Sequence, residues 1–278
     1  MTGGLVVATC SRDRRRTKTL RAVILSAGQG RRLLPLTEAL PKCLLRVAGR
    51  SVLEWQVRAL AANGITDITV VTGFQAEAVE EEVHARLGDF GAVVRTRFNP
   101  FFAVADNAGS CFLARDLLHG DALLLNGDTL FEPALLRPVL AAPRAPLTVT
   151  IDRAKQSYDA DDMKVSLDGD RLRAIGKTLP PERTDGESIG LLVFRDQGGA
   201  MFEAGLEAVL RQPEGLRRWY LSVVDGLAAA MPVRTVSIDG FAWGEIDFPD
   251  DIARAEAMAQ SWREREAARP RLAAASGD

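Results

Sequence analysis

The stretch Leu25–Leu45, LSAGQGRRLLPLTEALPKCLL, decides how this chain is read. It follows a short apolar run rich in β-branched residues, LRAVILS (20–26), and precedes SVLEWQVRALAANG (51–64), whose spacing is helical, with Ser51 as cap and Gly64 as stop. Between the two, Gly28 and Gly30 let backbone N–H groups approach an anion, while Arg31, Arg32 and Lys42 add full positive charges. The mixture fits a polyphosphate. A dinucleotide fingerprint is excluded, because Leu33 stands where its third glycine belongs, and the GxxxxGK[ST] phosphate loop is absent. Pro35 and Pro41 break the segment twice, so the loop is long and stiff and no helix starts directly behind the glycines.

Outward from this loop, strand and helix patterns alternate. DITVVTG (67–73) reads as a strand, followed by a helix near 75–87, a strand near 92–97, a helix near 109–118, the strand DALLLNGD (121–128) and a helix near 133–140. Such a rhythm predicts a parallel sheet covered on both faces, with ligands at the carboxyl ends of its strands, where the quoted loop lies. From Leu147 the rhythm changes: LTVTIDR, MKVSL, RLRAIGK and SIGLLVF are strands close together, with Asp168 and Gly169 forming a hairpin turn. We expect an antiparallel or mixed section folded over the parallel sheet. Helices near 199–211 and 219–230, a strand near 233–238 and a last helix from about 249 complete the pattern, and no internal repeat is visible. The fold class is therefore α/β: a Rossmann-like, mainly parallel mixed sheet flanked by helices, with a smaller antiparallel section. Residues 1–18 and the end of the chain, RPRLAAASGD, read as tails.

Composition excludes several functions. A chain of 278 residues with 47% hydrophobic content can bury a large core. Lys plus Arg number 35 against 37 for Asp plus Glu, which leaves no electrostatic footprint for nucleic acid or an anionic membrane. Cys10, Cys43 and Cys111 are odd in number and lack metal or disulfide spacing, which points to a reducing, cytoplasmic setting. No apolar run approaches the roughly 18 residues of a membrane span, and the basic cluster SRDRRRTK follows the apolar LVVATC, the reverse of a signal peptide. Oligomeric state is not legible.

The run AVILSAGQGRRLLPLTEALPKCLLRVAGRSVLEWQVRAL resembles the opening of the nucleotidyltransferases that make nucleoside-diphosphate compounds, with Gly28, Gly30, Arg32, Pro35, Thr37, Pro41 and Lys42 on the family pattern. Arg31 departs from it, standing where Thr or Ser is usual, as either a phosphate contact or a solvated side chain. The resemblance extends over most of residues 19–260 and implies a nucleotide-binding part (19–145) and an acceptor-binding part (146–260), with 261–278 as helix end and tail. LNGDTLF and WGEIDFPDDIARAEAM resemble the two segments that hold Mg²⁺ in the family, here through Asp128 and Asp247. DNAGSCFLARDLL implies Asn107 and Ser110 as base or ribose contacts, joined by Ala27, Gly28, Gln29, Gly30 and Arg31 of the loop. DDMKV, IGK, SIGLLVF and EID resemble the bacterial CTP:phosphocholine and CTP:aminoethylphosphonate cytidylyltransferases more than hexose-1-phosphate enzymes.

The implied reaction is attack by a phosphate or phosphonate oxygen on the α-phosphorus of a nucleoside triphosphate, CTP favoured, with pyrophosphate leaving. The nucleophile is already ionised near neutrality, a phosphomonoester having its second pKa at about 6, so no general base is needed and His84 and His119 are read as structural. Arg32 and Lys42 are the expected catalytic cations on the β and γ phosphates. Without the family match, Asp128 in Asn-Gly-Asp would read as a turn residue, and Asp247 as a helix cap, a task that Asp250 can serve instead. In the acceptor part, Lys164 is the expected contact to the acceptor phosphate or phosphonate. Tyr158, Trp219, Tyr220 and Trp243, with Asp161, Asp162 or Glu187, either form a box for an ammonium head or pack as ordinary core. The resemblance places Glu187 and Gly190 on the strand lining the acceptor site. Two other readings stay open: a sugar-1-phosphate nucleotidyltransferase using another nucleotide, and a nucleotide-binding regulator without catalysis.

Overall fold

The computed structural model describes residues 20–155 and 157–268. The expected N-terminal tail, Cys10 and the final ten residues of the expected C-terminal tail lie outside them. In chain order the elements are β1 (Arg21–Ser26), β2 (Arg46–Val47), β3 (Arg50–Ser51), α1 (Val52–Ala62), β4 (Asp67–Thr72), α2 (Ala76–Glu82), β5 (Val93–Phe98), α3 (Asn107–Leu113), β6 (Ala122–Asn126), β7 (Thr129–Phe131), α4 (Leu136–Ala141), β8 (Leu147–Asp152), β9 (Lys164–Asp168), β10 (Arg171–Gly176), β11 (Gly186–Phe194), α5 (Gly198–Leu210), α6 (Tyr220–Ala230), β12 (Arg234–Ser237), β13 (Trp243–Glu245) and α7 (Pro249–Ala268).

Strand alternation divides the interior into two cores. On β1, Ala22 and Ile24 face one cluster and Val23 the other; on β6, Leu123 and Leu125 face the first and Leu124 the second; on β11, Ile189, Leu191 and Val193 oppose Leu192 and Phe194. Helices α1, α2 and α4 supply the first cluster, and α3, α5 and α6 the second, so continuous apolar strands are buried on both faces. The sheet order is β5-β4-β1-β6-β11-β8-β12-β10-β9. β5, β4, β1 and β6 run parallel, and β11 enters antiparallel between β6 and β8.

One expectation is corrected here. The later strands are not folded over the parallel sheet; they continue it, because the fully buried β11 provides a ladder on each edge. β9 returns to pair with the start of β11, closing this end of the sheet on itself. The antiparallel character is as expected, with the β9–β10 turn at Gly169, φ +63°. β7 and β13, which the patterning did not separate, pair with each other as a small ribbon.

A third cluster matters most for position. Leu33 from the opening loop, Val47, Trp55, Leu130 of β7, Ile246 after β13, and Ala255, Ala259 and Trp262 of α7 pack together, with Trp55 and Trp262 edge to face at 5.7 Å. Three sequence-distant segments are thereby fixed against one another. Ser51 caps α1 by accepting from the N–H of Glu54 at 3.0 Å, and Gln56 of that helix donates to the carbonyls of Asn126 and Thr129 on either side of the turn bearing Asp128.

Gly190 tests this packing. Its φ is +71°, and a Cβ there would stand 2.2 Å from the Asn126 amide nitrogen, whereas Gly64, at φ +79°, faces open space. Gly190→Ala should cost about 2–4 kcal/mol in chemical denaturation, from backbone strain plus overpacking, and Gly64→Ala only about 1 kcal/mol, from strain alone.

Candidate active site

The opening loop is built as a cradle. Gly30 takes φ +78°, and a Cβ there would press on the Lys42 stem at 3.0 Å, so glycine lets the two loop limbs close. The buried Thr37 hydroxyl donates to the Gly30 carbonyl at 2.8 Å, and Gln29 donates to the Thr37 carbonyl at 3.2 Å. Short helical turns at Arg31–Leu33 and Lys42–Leu44 replace the long helix of a dinucleotide-binding loop.

At the centre, the Lys42 ammonium lies 2.7 Å from Asp128 Oδ2 and 2.6 Å from Asp247 Oδ1. Arg32 reaches the same Asp247 oxygen at 2.9 Å and Asp161 Oδ2 at 2.7 Å, with its guanidinium over the Phe248 ring at 4.9 Å. Burial pulls the Lys42 pKa down, but Asp128 and Asp247 outweigh it and the ammonium is held above its usual range. Just before α7 the N–H groups of Asp247 and Phe248 donate to the Asp251 carboxylate, while the Asp247 carboxylate faces Lys42 and Arg32.

Two cavities flank this centre. One, of about 470 Å³, is lined by Ala27, Gly28, Gln29, Arg31, Asn107 and Ser110, together with Phe102–Asp106 and Arg217. The structure thus brings together all the residues expected at the nucleotide except Gly30, which faces the Lys42 stem, and puts Arg31 at the cavity wall. Asn107 has a second task, since its Oδ1 accepts from the Tyr220 N–H at the start of α6; Ser110 is held by Asn99 at 3.0 Å. The second cavity, of about 610 Å³, has a wall of Asp159, Asp161, Asp162, Glu187, Trp243, Glu245, Asp247 and Phe248, with Lys155 and Arg254 as its cations.

Several expected acceptor contacts fall elsewhere. The Lys164 ammonium is buried against the Asp159 and Lys177 carbonyls at 2.6 and 2.9 Å, fastening the loop, so the role expected of it has no support in this geometry. The Lys177 ammonium instead pairs with Asp161 of the acidic wall at 3.1 Å, at the rim of that cavity. The aromatic box does not assemble: Tyr158 lines a neighbouring cavity, Trp219 is 40% exposed beneath Lys177 at 4.2 Å, and Tyr220 is core, its hydroxyl donating to Asn126. Trp243 does line the acidic cavity, donating to Asp152 at 2.7 Å. Gly190 abuts the Asn126 side chain, not open space. Glu245 escaped the sequence reading. It stands two residues after Trp243 on β13, hence on the same side, and burial with the charges of Asp128 and Asp247 raises its pKa. That period-two relation was the available signal.

The donor set fits a hard divalent ion. Asp128 Oδ1 is buried with no hydrogen-bond partner among the described residues, and the neighbouring donors are carboxylate oxygens. No cluster of three or more His, Cys, Asp or Glu able to hold a metal forms among the described residues. Few protein oxygens, with water and phosphate completing the shell, is how Mg²⁺ is usually held.

A glycine loop after the first strand, a carboxylate pair joined by Lys42 and a cavity on each side make up the candidate site. Residues 21–159, half of the chain, match the Nucleotidyl transferase family, and the chain belongs to it. It is 34% identical over 251 residues, 85% of the chain, to a CMP-5'-(3-aminopropyl)phosphonate synthase of Streptomyces rubellomurinus. It is 32% identical over 113 residues, 41% of the chain, to a choline-phosphate cytidylyltransferase of Streptococcus pneumoniae. The chain spans 38% of the first relative's length and 47% of the second's. The fold matches that of an inositol-1-phosphate CTP transferase from T. maritima, with TM-score 0.73 and 22% identity over 86% of this chain and 95% of that one.

Two outcomes follow from the site's charges. Lys42→Met takes away the only ion pair of Asp128 among the described residues and leaves Asp247 to Arg32 alone, so it should lower stability by about 1–3 kcal/mol in chelator, and Mg²⁺ should raise the variant's melting temperature more than the parent's. Burial raises the Glu187 carboxyl to about 7. With its folded pKa above the unfolded value, the native state binds the extra proton, so stability falls as pH rises from about 4.5 to about 7. Glu187→Gln should therefore flatten the pH dependence of thermal unfolding, gaining up to about 3 kcal/mol over the parent at pH 8 and little at pH 4.

Proposed function

We propose that the protein is a magnesium-dependent cytidylyltransferase that moves CMP from CTP to a small phosphate or phosphonate acceptor carrying a cationic group. The observation that carries this is the meeting of Arg32, Lys42, Asp128 and Asp247 between a nucleotide-sized cavity and an acid-rich one. An acceptor oxygen bonds to the α-phosphorus of CTP, the bond from that phosphorus to the bridging oxygen breaks, and the electron pair leaves with pyrophosphate. Arg32 and Lys42 stabilise the charge that grows on the leaving group, and a lysine fixed behind Pro41 loses little freedom in doing so. Asp128 and Asp247 would hold Mg²⁺, which would supply further neutralisation of the triphosphate. The acceptor's ionised oxygen needs no base, in keeping with His119 being engaged by Glu203 at 2.6 Å.

Lys177 is assigned to the acceptor's anion and the acidic wall with Trp243 to its cation. The names of the phosphonate and choline-phosphate relatives support acceptors of this class and cytidine as the nucleoside. The free, buried thiols of Cys43 and Cys111 accord with a cytoplasmic setting. Among the described residues no helix is long and apolar enough to cross a membrane.

The test is pyrophosphate release across four nucleotides and a panel of phosphocholine, aminoalkylphosphonates and hexose 1-phosphates. CTP with a cationic acceptor should turn over fastest; preference for a hexose 1-phosphate with another nucleotide would replace this reading by the sugar one, and binding without turnover by the regulatory one. Asp128→Ala and Asp247→Ala should each cut turnover about a thousandfold or more while far-UV circular dichroism stays unchanged. Near-normal turnover in either variant would refute the carboxylate assignment.

A further inference from the structure

Asp161 touches the cation set from both sides of the cleft. Its Oδ2 accepts from Arg32 of the opening loop at 2.7 Å, and its Oδ1 pairs with Lys177 of the acceptor half at 3.1 Å. These are the groups assigned above to the anions of the nucleotide and the acceptor. Asp161 thus lies where substrate phosphate must compete with it. Both members of the Arg32 pair are about half exposed, at 45% and 51%, and a pair of that kind shifts an equilibrium by about fivefold or less, weak enough to yield to a polyanion. Lys177 and Arg32 hold the Asp161 carboxyl below the usual carboxylate range, so it is an anion throughout the neutral range.

The rest of the acidic wall is not equivalent. Asp162 and Glu187 share Lys155 at 2.6 and 3.1 Å, inside the acceptor half. Asp159 lines the same cavity and has no ion pair among the described residues. Asp247 also reaches the opening loop, through Arg32 and Lys42, but of the two wall carboxylates only Asp161 also pairs with a cation of the acceptor half, Lys177.

We propose that Asp161 is an exchangeable counter-ion: it holds Arg32 and Lys177 across the cleft until substrate phosphates take them, and is then released to the cationic group of the acceptor. The handover to the acceptor rests on the cytidylyltransferase reading; the competition with phosphate does not. In the empty site the bridge keeps two flexible cations near their working positions, and the same carboxylate later marks the acceptor by charge.

The experiment compares Asp161→Asn with Asp159→Asn in the full chain, the second removing a cavity charge without removing a bridge. Calorimetry without acceptor reads the binding of CTP with Mg²⁺ and of inorganic pyrophosphate. Asp161→Asn should bind both about two- to fivefold more tightly than the parent, and Asp159→Asn should not. Kinetics then compare an aminoalkylphosphonate with the alkylphosphonate lacking the amine: Asp161→Asn should raise KM about tenfold for the amine alone, with kcat changed less. Unchanged or weaker anion binding in Asp161→Asn, or an equal gain in Asp159→Asn, overturns the counter-ion; equal effects on both acceptors overturn the handover. If no acceptor is cytidylylated by the parent, the functional reading fails, while pyrophosphate binding still decides whether Asp161 competes with phosphate.

Discussion

The arrangement depends on one constraint: a single ammonium, Lys42, lies within hydrogen-bond distance of Asp128 and Asp247, which are separated from it by 86 and 205 residues. Two carboxylates drawn together out of water repel each other, and an interposed cation is what makes their approach tolerable. Their position is imposed from outside. β7 and β13 form a ribbon directly after Asp128 and before Asp247, and α7 covers it through Trp262, Ala255 and Ala259. The same cluster takes in Leu33 of the opening loop, so packing and electrostatics fix one geometry together.

Charge balance then explains the rest of the cleft. Asp247 shares Lys42 and Arg32, Asp161 shares Arg32 and Lys177, and Asp162 and Glu187 share Lys155. Lys42, Arg32, Lys177 and Lys155 are thus each paired with a carboxylate, while Asp159, Glu245 and Arg31 have no ion pair among the described residues. Pairing of this kind keeps the net charge of the cleft low, which limits the cost of holding so many ionised groups partly out of water. Polar contacts support it from behind: Gln56 holds the turn of Asp128 through two backbone carbonyls, and Tyr220 and Gly190 fix Asn126.

The opening loop could be read from sequence because its chemistry is local: glycines, prolines and basic residues in order within about one strand-to-helix connection leave few alternatives. Of the residues expected at the nucleotide, Ala27, Gly28, Gln29, Arg31, Asn107 and Ser110 line one cavity, and Gly30 does not. The acceptor side was harder. Lys164 and Lys177 both sit at strand ends, and only the carbonyls around Lys164 show which ammonium is consumed by the fold. Tyr158 and Trp219 were conspicuous by residue type, yet they lie at the margins under Lys155 and Lys177. Aromatic identity does not specify direction; the surrounding surface does.

By itself the sequence determined the alternation of strands and helices and the form of the glycine- and proline-bearing loop, since periodicity and turn chemistry are properties of short stretches. Tertiary structure alone decided that β11 would enter between β6 and β8 and join both halves into one sheet, that Glu245 would stand beside Asp128, and that Asp161 would bridge Arg32 to Lys177. Those outcomes turn on which edges pair and which charges meet across more than 100 residues, as Arg32 and Asp161 do at a separation of 129. Local patterning carries no energy that distinguishes among such pairings; burial of the common core does.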